Sequence, residues 1–217
     1  MSLILYYHPL SSYSWKPLIP LYENGTPFDG RIIDQDHPEN CGEWIASWPL
    51  QRFPVLRDEE RGVTIVEASV IVEYLGIHYP GPFVPVPADP DTALEVRTLD
   101  RLFDNYVMSS MQAYVYNKIR PEGMQDDYGL EQAKALLART YDLLEGRLAG
   151  RTWAAGEAFS LADCAAGPSL FYADKVQPFR GSHPVLGAYL DRLEARPSFA
   201  RVLAEKEPYW QMFPFAK

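Results

Sequence analysis

Three serines, Ser11, Ser12 and Ser14, stand where an apolar run stops and helical spacing begins, in the stretch YYHPLSSYSWKPLIPLYENG at residues 6–25. A helix N-terminus carries free N–H groups and the positive end of the helix dipole, so it favours an anion. A short hydroxyl placed there adds a hydrogen-bond donor, and serine at a helix start also serves as a cap. Pro17 and Pro20 follow inside the helical stretch. Pro17, in the first turn, removes an N–H that has no helical partner. Pro20 removes a bond to the Lys16 carbonyl and predicts a kink or a late-starting helix.

The remaining chemistry-bearing residues exclude several classes. Cys41 and Cys164 are too few for a disulfide framework or a metal cluster, and Cys164 reads as a small buried apolar residue. A formal net charge of -9 argues against nucleic acid and anionic membranes as partners. No apolar run reaches the roughly 18 residues of a spanning helix, and the start MSLILYY lacks the basic region and cleavage site of a signal peptide. A cytoplasmic protein is expected. With 217 residues, 47% of them hydrophobic, the chain can fill one large domain or two small ones.

The elements that must position the serines follow from periodicity. SLILYY (2–7) is a strand buried on both faces, and residues 13–22 form a helix that Asn24-Gly25 ends. PFDGRIID (27–34) is a second strand, and residues 36–49 hold a short helix at best. FPVLRDEERGVTIV (53–66) is a hairpin. EASVIVEYLGIHYPG (67–81) is a helix with Val70, Ile71, Tyr74, Leu75 and His78 on one face. The order β-α-β-(α)-β-β-α makes a compact α/β unit over residues 1–80. The proline-rich segment 81–92 is the linker, and 93–217 read as helices throughout. One long helix begins near Leu94 and reaches towards Arg120. Residues 130–148 follow, then a capping box at Ser160-x-x-Asp163, helix starts at Pro184 and a break at Pro197, and an aromatic, irregular tail.

This order resembles the cytosolic glutathione transferase family: an α/β thioredoxin-like N-terminal domain plus an all-α helical-bundle C-terminal domain. Local motifs carry the resemblance over the whole chain. RFPVL (52–56) is similar to the family's strand-opening V/F-P-x-L, EASVIVEYL (67–75) to its [E/Q]-S-x-x-I-x-x-Y-L, and FSLADCAAG (159–167) to its sixth-helix capping box. SSYSW (11–15) is similar to the zeta-class Ser-Ser-Cys-Ser-Trp.

The resemblance implies glutathione as co-substrate, with Ser11, Ser12 or Ser14 donating to its thiolate; Ser11 ranks first because it stands where the zeta class puts its first serine. Tyr7, at the end of the first strand, is the competing donor by analogy with tyrosine-type classes, and alternation also fits it as a core residue. Pro54 is implied to be cis and to present the backbone of Val55 to glutathione, with Phe53 before it. Arg52 and Gln51 are implied to meet the glycyl end, and Glu67 and Ala68 the γ-glutamyl end. The family pattern places serine at position 68; Ala68 lacks that hydroxyl, a loss of about 1.5–3 kcal/mol towards a charged group. An electrophile pocket is expected between the domains, with Asp104, Tyr106, Met108, Met111 and Tyr114 as candidates and Trp210 and Phe213 as a lid. The implied activity is thiolate attack on a small electrophilic substrate by a homodimer, without metal. The alternatives are a zeta-like maleylacetoacetate-type isomerase and a non-catalytic binding protein of the same fold.

Overall fold

The computed structural model describes residues 2–216. Its first part is a four-stranded mixed sheet in the order β2-β1-β3-β4. Strand β1 is Leu3–Tyr7, β2 is Asp29–Ile32, β3 is Val55–Asp58 and β4 is Val63–Val66. β1 runs parallel to β2 and antiparallel to β3, and β3 antiparallel to β4. Leu3 and Leu5 enter the main core, while Ile4 and Tyr6 enter a smaller one with Ile33, Trp44 and Val55. That alternation confirms the reading of β1 as covered on both faces.

Helix α1 spans Ser12–Glu23, with Ser11 as its N-cap and both prolines inside. It starts earlier than expected and runs unbroken. Residues 14 to 21 are all buried, between the sheet's partner helices and the helical part of the chain, so packing overrides the bond that Pro20 forfeits. The segment 36–49 is a fuller helix than the sequence promised: α2, Pro38–Ser47. Pro38 opens it, Asn40 Nδ2 donates to the Ile32 carbonyl at 2.9 Å, and Trp44 fills the small core. Helix α3 is Ala68–His78; it buries Ala68, Ile71, Val72 and Leu75 while Val70 and His78 stay exposed, so its inner face is rotated from the predicted one.

Helix α4 begins at Pro90, capped by Asp89, and runs to Leu102. A π-helical turn, Phe103–Met108, joins it to α5, Ser109–Ile119. Helices α6 (Asp127–Leu148), α7 (Leu161–Val176), α8 (Pro184–Glu194) and α9 (Pro197–Lys206) complete the bundle, with a short 3-10 turn at Glu207–Met212. The capping box of Ser160 and Asp163 forms at the start of α7. None of the described helices is long and apolar enough to cross a membrane.

One apolar core joins the two parts. Trp15 is fully buried against Phe171, Tyr172 and Phe199. Its indole Nε1 donates to the Pro9 carbonyl at 2.6 Å, and the Tyr172 hydroxyl donates to the Leu10 carbonyl at 2.7 Å. The first bond ties the β1–α1 loop to α1, and the second ties it, and therefore Ser11, to α7 of the helical part.

Candidate functional site

A cleft of about 550 Å³ opens between the sheet part and the α4–α5 wall. Ser11 enters it from the N-cap of α1. The Ser11 Oγ accepts from the Ser14 N–H at 3.2 Å, which leaves its own hydroxyl hydrogen free to donate. Ser12 is nearly buried and Ser14 fully so, neither lines the cleft, and the Ser14 Oγ has no hydrogen-bond partner. The helical turn separates the three: successive residues point about 100° apart, so one junction brings only one hydroxyl to this surface. Tyr7 also lies off the cleft, packed against the core, and burial pushes its phenol up to about 12.

In the same cleft, the peptide bond Phe53–Pro54 is cis, and both residues line it with Gln51 and Arg52. Val55 does not. It sits in the centre of the sheet, opposite Tyr6 on one side and Val66 on the other, with no exposed surface. Of the residues expected around the cis bond, Phe53 and Pro54 therefore line the cleft, and Val55 lies behind them in the sheet. Arg52 is exposed and has no ion pair among the described residues.

Glu67 and Ala68 close the same wall at the start of α3. Glu67 has φ 68° and Gln51 φ 52°, the two non-glycine residues with positive φ among those described. Each such backbone costs about 1–3 kcal/mol and persists where surrounding structure imposes it, commonly at ligand sites. The Glu67 side chain makes no capping hydrogen bond, so neither it nor the Ala68 methyl occupies the first amides of α3.

The other wall comes from α4, the π turn and α5: Arg101, Asp104, Asn105, Gln112 and Tyr116, with Tyr13 reaching up from α1. Asp104 was expected here. Tyr106 instead faces a second groove with Leu102, Leu136 and Leu143, while Met108, Met111 and Tyr114 are core. Trp210 and Phe213 pack on Phe171 and Tyr172 away from the cleft, so the tail is a strap and no lid. Burial pushes the Tyr13 phenol up to about 12, so it faces the cleft as a hydrogen-bond donor at neutral pH.

Behind this wall lies a knot of charge that sequence reasoning missed. Lys16, almost wholly buried in α1, donates to Ser69 Oγ and to Asp104 Oδ2, both at 2.8 Å. Its Nζ also lies 2.5 Å from Asp100 Oδ1, an ion pair off the hydrogen-bond direction. Arg101 bridges Asp100 and Asp104 from the cleft side and donates to the same Ser69 hydroxyl. Burial raises the Asp104 carboxyl; Lys16 and Arg101 pull it back, and Asp100 adds to the rise. The available signal was a lone lysine within the apolar run SWKPLIPL, together with Asp100 and Asp104 four residues apart in a helical stretch.

Comparison with known proteins agrees with this architecture. Residues 1–76 match the glutathione S-transferase N-terminal domain, and residues 127–192 the glutathione S-transferase C-terminal domain. The chain is 30% identical over 190 residues to the uncharacterized GST-like protein YibF of Escherichia coli K12, covering 86% of this chain and 91% of that protein. It is 25% identical over 215 residues to a probable maleylacetoacetate isomerase of Vibrio cholerae, covering 96% and 98%. A crystal structure of a glutathione S-transferase from Methylobacillus flagellatus KT with GSH bound has a TM-score of 0.82 at 28% identity, covering 93% of this chain and 98% of that one.

Proposed function

Since the chain belongs to the glutathione S-transferase family, we propose that its cleft binds glutathione and delivers the thiolate to a small electrophilic co-substrate, with Ser11 as the donor to sulfur. The observation that carries this reading is the spare Ser11 hydroxyl hydrogen at the N-cap of α1, in one cleft with the cis Phe53–Pro54 bond. An ordinary cysteine thiol has a pKa near 8.5; lowering it by two units requires about 2.7 kcal/mol. One charge-assisted hydrogen bond together with the helix terminus is of that size. Arg52 would take the glycyl carboxylate, the Phe53 backbone the cysteinyl unit, and the first amides of α3 with Glu67 the γ-glutamyl end. The sulfur lone pair then forms the carbon–sulfur bond while the electrophile's displaced pair leaves with its leaving group or moves on to an acceptor atom. Rate enhancement comes from thiolate stabilisation and from holding two reactants together.

Two parts, residues 1–80 and 93–217, would each contribute a wall, and the protein would act in the cytoplasm as a homodimer. Val70 and Ile77 exposed on α3, with Leu94, Tyr106 and Leu143 exposed on the helical part, supply apolar faces for the first part of one subunit to meet the helical part of the other. An isomerase of unsaturated diacids is the second reading, favoured by SSYSW. Against it, the cationic side chains lining the cleft among the described residues are Arg52 and Arg101, few for a diacid bound beside glutathione with its own two carboxylates.

The test is a calorimetric titration of glutathione near neutral pH, combined with the ultraviolet absorbance of the bound thiolate. Binding is expected, with a thiolate signal that Ser11→Ala removes while the ligand stays bound. An unchanged signal in Ser11→Ala would rule out Ser11 as the donor. No binding by the wild-type chain at millimolar glutathione would overturn the enzyme reading in favour of a binding or assembly role.

A further inference from the structure

Glutathione's γ-glutamyl end is a zwitterion, and position 68 lacks the hydroxyl expected to bind its carboxylate. Ser69, the neighbouring hydroxyl, accepts from Lys16 and Arg101 and does not line the cleft. What the cleft offers in its place lies at the end of α4 and in the π turn that follows. Asp104 uses Oδ2 for both Lys16 and Arg101, while its Oδ1 makes no hydrogen bond among the described residues. Arg101 uses Nε and Nη2 for Asp100, Asp104 and Ser69, and its Nη1 makes none. Both side chains line the cleft beside Glu67 and Ala68. The knot of Lys16 and Arg101 with Asp100 and Asp104 is charge-balanced, with Lys16, Asp100 and Asp104 buried and Arg101 half exposed on the cleft side. A neutral zwitterion preserves that balance, whereas a lone anion or cation would leave an unpaired charge.

We infer that Arg101 and Asp104 form a zwitterion-reading pair, Arg101 Nη1 for the α-carboxylate and Asp104 Oδ1 for the α-ammonium, taking over the role for which Ala68 has no side-chain donor. Lys16 is the positioning residue. Its ammonium fixes Asp104 and Ser69 from behind, and so sets which oxygen and which nitrogen remain free for the ligand. The pair deepens the proposed glutathione site and rests on that reading. It also states which peptides the site accepts: those ending in a free α-amino acid.

The experiment compares three ligands by calorimetry: glutathione, its analogue without the α-carboxylate (4-aminobutyryl-cysteinyl-glycine) and its analogue without the α-ammonium (glutaryl-cysteinyl-glycine). Wild type should bind both analogues about 10- to 100-fold more weakly than glutathione. Arg101→Gln should weaken glutathione by a similar factor and leave the carboxylate-free analogue unchanged. Asp104→Asn should do the same with respect to the ammonium-free analogue. Lys16→Met should reduce the discrimination between glutathione and both analogues, and Lys16→Arg should restore it, a readout that a purely structural lysine would not move. Thermal melts of each variant establish that it is folded, and Arg101, half exposed, is the safest substitution. If Arg101→Gln leaves glutathione binding unchanged, or weakens all three ligands equally, the pair is overturned while the glutathione site stands. If wild type binds none of them at millimolar concentration, both readings fall.

Discussion

The two walls of the cleft are built in different ways. The sheet-side wall is made from backbone: an N-cap at Ser11, a cis peptide at Phe53–Pro54, and a helix start at Ala68 approached through a positive φ at Glu67. The helical wall is made from long side chains, Arg101, Asp104, Gln112 and Tyr116, carried on a helix that a π turn widens at the cleft. Backbone sites present amides whose positions the fold dictates, so they hold a constant part of a ligand. Side-chain sites vary from residue to residue without altering the fold, so they carry what distinguishes one chain from another. π turns within longer helices are frequent where such sites lie.

Lys16 is where the two walls meet, and replacing it should have the largest effect. Its Nζ joins α1 to Ser69 of α3, to Asp100 of α4 and to Asp104 of the π turn, with about 1% of the lysine and 2% of Asp100 exposed. Removing one member of a buried ionic group leaves its partners unpaired, which costs about 3–5 kcal/mol. Lys16→Met should therefore lower the denaturant midpoint by that equivalent with little change in m-value. A loss below about 1 kcal/mol would mean that the walls are held together by the apolar core around Trp15 alone.

Next in size is Ser11→Ala, which removes one donor from the backbone wall. Single donors to a developing anion are worth about 10²- to 10³-fold in kcat, and the loss should fall on kcat and thiolate absorbance while glutathione affinity changes little. Ala68→Ser is the smaller, opposite experiment. Restoring a hydroxyl at the start of α3 should tighten glutathione about tenfold. If Arg101 already satisfies the α-carboxylate, the gain should be less in wild type than in an Arg101→Gln background, a coupling that a double-mutant cycle reads directly.

The difference between the walls also explains which features could be read from the residues. RFPVL and EASVIVEYL are local patterns whose backbone consequences are fixed within a few residues, so the cis proline and the start of α3 could be anticipated. Serine spacing placed the hydroxyls at the junction but could not choose among them, because the choice depends on the orientation of the first helical turn against Trp15 and Tyr172. That Val55 lies off the cleft lining was hidden for a related reason: strand pairing on both sides absorbs it, and pairing is a tertiary property. Arg101, Gln112 and Tyr116 gave no local signal, since on a long amphipathic helix the cleft-facing side is set by the neighbours. The full length of α2 was hidden because its burial is confined to Asn40 and Trp44, with the rest of its surface in solvent. Tyr13 gave no signal of its own in the sequence, although it lines the cleft with the helical wall.

The smallest effect tests the walls through pH. Asp104 faces Lys16 and Tyr13 of α1, Asp100 and Arg101 of its own helix, and Ser69 behind them through Lys16, with Glu67 across the cleft. Its carboxyl is raised from the ordinary 3.8, chiefly by burial. Two quantities should then respond in opposite directions as pH falls through the window between 3.8 and the raised folded value. The folded chain binds the proton more tightly than the unfolded one, so Asp104's own contribution to stability grows on acidification and is lost as pH rises through its folded pKa. Ligand binding needs the ionised carboxylate to accept the α-ammonium, so glutathione affinity declines over the same window. Asp34, Asp58 and Asp89, whose carboxyls are lowered, oppose the first trend by losing stability in acid, but they are common to wild type and Asp104→Asn. The difference between the two proteins isolates Asp104. On acidification wild type should gain stability relative to Asp104→Asn while losing its advantage in glutathione affinity. Parallel movement of the two would mean that Asp104 serves only to neutralise Lys16 and takes no part in reading the ligand.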